Sequence, residues 1–238
     1  MPIERPSPNH GERRPGKPID MLVLHYTGMK SAAAALARLC DPGAQVSAHY
    51  LIDEHGLVYR LVPEERRAWH AGVGQWAGET DVNSRSIGIE LANPGHEHGY
   101  RDFPPAQIDA LAALARIILA RHPIPAHRVL GHSDVAPARK TDPGERFPWA
   151  RLATQGIGLW PAGGTAAAPA APVDIARLQR DLAAFGYALE PTGAADAPTQ
   201  TVVAAFQRHF RPARVDGVPD PETAAVLRQI ARAAAAIA

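Results

Sequence analysis

The chain has 238 residues and a mass of 25.4 kDa, which suits one medium domain and a small one. With 46% hydrophobic and 21% charged residues it is not a disordered polymer, and 25 Lys+Arg against 24 Asp+Glu lacks the basic excess of a nucleic-acid binder. No apolar run approaches the roughly 20 residues of a membrane helix, so no membrane insertion is expected, and a single cysteine, Cys40, cannot form an intramolecular disulfide.

Residues 1–18 are polar and rich in proline, with basic Arg13, Arg14 and Lys17, and read as a flexible N-terminal segment. They lack the apolar stretch of a secretory signal, so the expected location is the cytoplasm, with the periplasm as the alternative. From Met21 to Tyr26 the sequence is apolar and is closed by Thr27-Gly28, the pattern of a buried strand feeding a loop. Ser31 caps a helix over 32–39 that Asp41-Pro42-Gly43 ends. Residues 48–52 and 57–62 flank Asp53-Glu54-His55-Gly56 and predict a β-hairpin, with Gly56 at positive φ. A further strand covers 86–91. A long helix follows over 106–121, with Ile108, Leu111, Ala112, Ala115, Ile118 and Leu119 at helical spacing. Val129 to His132 is short and apolar, and 133–146 reads as a polar loop. This alternation predicts an α/β domain over 19–160, a mixed central sheet flanked by helices.

Residues 161–172 are almost wholly Pro, Ala and Gly and read as a linker. Beyond them, 173–238 carries three amphipathic segments, at 175–182, 199–210 and 221–230, separated by Gly186 and Asp216-Gly217. A small all-α three-helix domain is expected there, with a core of Leu178, Leu182, Phe185, Val203, Phe206, Val226 and Leu227.

Histidine carries the first functional signal. Of 11 histidines, only His10 and His209 lie outside the stretch from His25 to His132, and histidine is both a common metal ligand and a proton carrier. His25 ends a strand, where α/β folds gather binding groups. His132 and Asp142 bracket a loop that can return on itself and bring both to one point. Two imidazoles and one carboxylate suit zinc and leave a fourth position for water. Lys140 stands two residues before Asp142, within reach of an oxygen beside such a metal. On spacing alone, Asp142 could equally cap a turn ahead of Pro143-Gly144.

Five ordered segments add to this reading: Met21-Leu-Val-Leu-His-Tyr-Thr-Gly28, Val46 to Gly56, Ala68-Trp-His-Ala-Gly72, Asn83 to Leu91, and Gly131 to Gly144. Together they resemble the zinc-dependent N-acetylmuramoyl-L-alanine amidases, the family of phage lysozyme-type amidases and peptidoglycan recognition proteins. The resemblance implies one Zn2+ per chain on His25, His132 and Asp142. It implies Glu90 as the catalytic carboxylate, Lys140 as its cationic partner, and a substrate groove shaped by His70, Asn83 and Arg85. Phage members carry a catalytic tyrosine where this chain has Ala48, which throws proton transfer onto Glu90. His49, beside it, fits a core histidine bonded to backbone equally well.

The C-terminal segment resembles the three-helix peptidoglycan-binding module. The expected reaction is therefore hydrolysis of the amide between N-acetylmuramic acid, or its anhydro form, and L-alanine. Muropeptides or intact peptidoglycan would be the partners. A non-catalytic peptidoglycan-binding protein and a zinc peptidase acting within the stem peptide are the alternatives.

Overall fold

The computed structural model describes residues 1–162 and 172–237. The first residues are not the flexible segment that their prolines predict. Strand β1 (Ile3–Glu4) runs parallel to β5 (Val58–Arg60), and β2 (His10–Glu12) pairs antiparallel with β6 (Arg66–Ala68). Asn9 donates to the carbonyls of Asp41 at 2.8 Å and Val46 at 2.9 Å. Arg13 reaches inside and donates to the carbonyls of Glu64, Asn83, Ser84 and Ser86, at 2.9–3.2 Å. Its polarity belongs to an interior role: it satisfies carbonyls that the strand ladders leave free, and burial pulls its pKa down to about 10.

The remaining elements of the α/β body are β3 (Met21–Tyr26), α1 (Ala32–Cys40), β4 (Tyr50–Ile52), β5 (Val58–Arg60), β6 (Arg66–Ala68), α2 (Val82–Arg85), β7 (Ser86–Leu91), α3 (Pro105–Arg121), β8 (Val129–Gly131), α4 (His132–Val135) and α5 (Trp149–Ala153), of which the short β6, α2, α4 and α5 are not among the predicted elements. The Ser31 hydroxyl accepts from Ala34 N, as expected of an N-cap. In the hairpin, the Asp53 carboxylate accepts from His55 N and Leu57 N, and Gly56 has φ +84°. The polar loop predicted after His132 opens with the single turn of α4.

Six strands make a mixed sheet in the order β1-β5-β4-β7-β3-β8. β3 lies between β7 and β8, parallel to both, which explains its unbroken apolar sequence. Alternation along the strands divides the two faces. Leu22 and Leu24 of β3, with Ile87, Ile89 and Leu91 of β7, pack under Ile108, Leu111, Ala112, Ala115 and Ile118 of α3. Met21 and Val23 point the other way, into a cluster with Trp76, Val82 and Val135.

The predicted linker, 161–172, lies largely outside the described residues. The three predicted helices are present as α6 (Ile175–Phe185), α7 (Ala197–Phe210) and α8 (Pro221–Ala235), with Asp174, Asp196 and Asp220 as N-caps. Two buried glutamines clasp the loops between them. Gln179 Oε1 accepts from Gly193 N, and Gln207 Oε1 accepts from Asp216 N and Gly217 N. The expected core residues are buried, but their cluster continues into the α/β body through Trp76, Val82 and Val135.

A polar node fixes the joint. The Asp134 carboxylate accepts from the Tyr187 hydroxyl at 2.6 Å, His209 Nδ1 at 2.7 Å and Gly131 N at 2.7 Å. His209 also stacks on Trp149 at 3.7 Å between ring centroids. Gly186 lies against Trp76 with φ +141°, and a Cβ there would sit 2.5 Å from the indole Cε2. Gly186→Ala should therefore strain both the backbone and the joint, costing about 2–4 kcal/mol. A urea titration reads this as a lowered midpoint, and an unchanged midpoint would contradict the tight joint.

Candidate metal centre and catalytic cleft

The parallel strands bring their carboxyl ends to one edge, where open α/β sheets bind ligands. His25 on β3 stands in register with Glu90 on β7, and Leu24 pairs with Gly131, so His132 emerges just beyond the same edge. The following loop folds back, with Ser133 N donating to Asp142 O at 2.9 Å. That return carries Asp142 ten positions onward in sequence to the side of His132.

The donor atoms meet. His25 Nδ1 lies 3.0 Å from His132 Nδ1 and 3.0 Å from Asp142 Oδ2, and His132 Nδ1 is 3.1 Å from the same oxygen. All three residues are buried. His132 Nε2 faces the Ala71 carbonyl at 2.9 Å. A carbonyl only accepts, so a neutral His132 carries its proton on Nε2 and turns a bare lone pair inward. Lone pairs facing one another at this distance repel unless a cation lies among them. The donor set fits a divalent metal ion.

Burial first, and then the nearby His132, lower the His25 pKa to about 4. Burial alone would raise Asp142, but positive charge at the centre, carried by His132 or His25 when protonated, holds it well below the ordinary carboxylate range. Glu90 behaves in the opposite way. Its Oε2 is buried without a hydrogen-bond partner among the described residues. Burial, followed by the Asp142 charge, pushes its pKa well above the usual value, with Lys140 opposing. Glu90, His132, Lys140 and Asp142 all line one cleft of about 440 Å³.

The structure separates the three residues expected to touch substrate. His70 lines the cleft, yet both ring nitrogens are engaged: Nδ1 lies 3.0 Å from His25 Nε2 and Nε2 lies 3.1 Å from Ser86 Oγ. Asn83 is buried behind it, its Oδ1 accepting from His70 N at 3.2 Å and Ala71 N at 2.8 Å. Arg85 sits at the opposite end of β7 from Glu90, its guanidinium paired with Asp20 and Glu79. It lies off the cleft, so the expected groove role does not fit its position. A charged residue in a motif looks the same in sequence whether it meets a ligand or an ion pair.

His49 is a core histidine: Nδ1 accepts from Gly88 N at 2.9 Å and Nε2 meets the Arg66 carbonyl at 3.1 Å. Ala48 is fully buried. Sequence reasoning missed Arg139, whose guanidinium donates to the Ala71 and Val73 carbonyls, both at 2.6 Å, and braces the loop that orients His132. It also missed Tyr26, whose hydroxyl lies 2.9 Å from His96 Nδ1 and 3.1 Å from Thr141 Oγ1 at the cleft rim.

An α/β sheet that gathers two histidines and an aspartate beside a half-buried glutamate and a lysine is the arrangement of a hydrolase. Residues 15–145 match the family model described as N-acetylmuramoyl-L-alanine amidase, and residues 172–227 match that of a putative peptidoglycan binding domain. The chain is 42% identical over 226 residues to the N-acetylmuramoyl-L-alanine amidase AmiD of Escherichia coli (strain K12), covering 87% of this chain and 80% of that protein. It is 37% identical over 164 residues to the 1,6-anhydro-N-acetylmuramyl-L-alanine amidase AmpD of the same organism, covering 62% of this chain and 87% of that one.

Among solved structures, a complex of E. coli AmiD superposes with a TM-score of 0.82 at 40% identity, covering 93% of this chain and 92% of that one. AmpDh3 from Pseudomonas aeruginosa gives 0.80 at 35% identity, covering 98% of both. The chain belongs to the N-acetylmuramoyl-L-alanine amidase family, hydrolases of the amide that joins N-acetylmuramic acid to the L-alanine of the peptidoglycan stem peptide.

Because Arg85 is spent on carboxylates away from the cleft, Arg85→Gln should destabilise the fold by about 1–3 kcal/mol. Its KM for muropeptide should stay within about twofold of the parent. Thermal melting and steady-state kinetics check the two halves, and a large rise in KM with unchanged melting would return Arg85 to the groove.

Proposed function

We propose that this chain cleaves 1,6-anhydro-N-acetylmuramyl-L-alanine peptides, using a zinc ion held by His25, His132 and Asp142. Glu90 acts as acid and base, and Lys140 as the cationic partner. The convergence of the three donor atoms at 3.0–3.1 Å carries the reading. Two nitrogens and one carboxylate oxygen suit zinc and leave the fourth position open to water and substrate. Zinc bound there would acidify a water to a pKa of roughly 7 and polarise the scissile carbonyl.

Glu90 lines the same cleft and keeps a buried oxygen without a hydrogen-bond partner among the described residues, which supports this role. It takes the proton of the attacking water and returns it to the alanine nitrogen as the C–N bond breaks. Lys140 brings its ammonium to the carbonyl oxygen as negative charge develops there. Support for the anhydro sugar comes from solved relatives. The AmiD complex contains anhydro-N-acetylmuramic acid-L-Ala-D-gamma-Glu-L-Lys, and an AmpDh3 complex contains an anhydromuramic pentapeptide. The module matched as a peptidoglycan binding domain favours a setting that holds wall polymer over the cytoplasm. Fractionation of the natively expressed protein tests that placement.

Glu90→Gln should retain one zinc per chain while kcat falls by about 10²–10⁴. His132→Ala should lose both metal and turnover, and a chelator should abolish activity that added zinc restores. Mass spectrometry of digested muropeptides should find free, intact stem peptide. A truncated peptide would instead mark a stem peptidase, and an unchanged rate in Glu90→Gln would remove that residue from the reaction.

A further inference from the structure

We infer that His70 and Ser86 are positioning residues for the metal ligand His25, fixing which of its nitrogens carries the proton. The inference rests on the reading of His25, His132 and Asp142 as a metal centre and extends it inward to a chain of hydrogen bonds.

The chain starts at a group whose role is fixed. Ser86 Oγ lies 2.7 Å from the Val82 carbonyl. That carbonyl can only accept, so the single hydroxyl proton of Ser86 is committed to it. Toward His70, 3.1 Å away, Ser86 can then only accept, which places the His70 proton on Nε2. His70 Nδ1 is left bare and accepts from His25 Nε2 at 3.0 Å. The proton of His25 is thereby held on Nε2, and Nδ1 faces His132 and Asp142 as an open donor to a cation. The reverse order would put a proton on His25 Nδ1, in the middle of the centre, and would exclude a metal ion.

Strand geometry builds this support. Ser86, Gly88 and Glu90 share one face of β7 by the two-residue period. The ring of His70 lies directly over Gly88, where any Cβ would overlap it. Asn83 fixes the backbone on both sides of the arrangement, since its Oδ1 holds the amides of His70 and of Ala71, the residue whose carbonyl orients His132. One face of β7 thus supplies the proton anchor, the space for the relay ring and the candidate acid–base group.

The test uses the full chain, stripped by a chelator and reloaded with Zn2+ or Co2+ alone. Ser86→Ala should weaken zinc affinity about tenfold or more, the usual effect of removing a ligand's hydrogen-bond support, and should shift the Co2+ absorption bands. Long-range 1H–15N spectra of the zinc-loaded parent should place the protons of His25 and His70 on Nε2. In Ser86→Ala, His70 should populate the Nδ1-protonated form. A parent His70 protonated on Nδ1 would overturn the inference. So would a folded Ser86→Ala with zinc affinity within about twofold of the parent. Should Ser86→Ala fail to fold, the parent tautomers decide alone. A parent that binds neither ion fails earlier, at the metal centre itself.

Discussion

Two imidazole nitrogens and a carboxylate oxygen lie buried within 3.1 Å of one another, and with both imidazole protons turned outward this is an arrangement that a folded chain does not tolerate for its own sake. Each imidazole must keep its proton on the outward nitrogen, and each outward nitrogen must find an acceptor. Much of the architecture supplies those acceptors. The Ala71 carbonyl serves His132, and His70, backed by Ser86 and Val82, serves His25. The loop from Ala68 to Val73 is therefore part of the centre although it contributes no ligand. Arg139 and Asn83 hold that loop through its backbone, so their polarity acts on the site at one remove.

The helical module meets the same region from behind. Asp134 closes the turn that begins with His132, accepting from Gly131 N, and it accepts from Tyr187 and His209 of the module. A buried carboxylate with three donors is well compensated, whereas one stripped of two would carry a considerable desolvation cost. Docking the module is thus favoured by more than apolar contact. Trp76, Met21 and Val23 extend one continuous core from the sheet into the helices. The module and the α/β body are thus joined by apolar packing and hydrogen bonds together.

Much of this was readable from the chain. Strand β3, helix α3, the Ser31 cap and the Gly56 turn follow from local pattern, because each is determined by neighbours in sequence. The N-terminal segment was not readable. Strands of two and three residues leave no periodicity, and Arg13 gains its meaning from carbonyls some fifty to seventy positions away. The ligand set was open on spacing and took its weight from family resemblance. The parts played by His70 and Arg85 depend on which atoms face them, which a motif does not record. Ser86, Gly88 and Glu90 recur at strand period, the spacing that sets residues on one face of a strand.

Ala48 bears on how the acid–base step works. The position is fully buried and offers no hydroxyl, so a tyrosine of the phage kind has no counterpart there. In the proposed reaction Glu90 then serves both as base toward water and as acid toward a departing amine. A carboxyl group at its ordinary pKa would accept a proton poorly and hold it briefly at neutral pH. Burial and the Asp142 charge lift Glu90 well above that value, and Lys140 pulls it back. A cation among His25, His132 and Asp142 would pull in the same direction as Lys140. With such a cation bound, the affinity of Glu90 for its proton would be a balance between burial and the Asp142 charge on one side and two positive charges on the other. Among the described residues Oε2 has no partner, which leaves that balance adjustable, since a fixed donor to it would favour the charged carboxylate over the proton-carrying form that the proposed acid step needs.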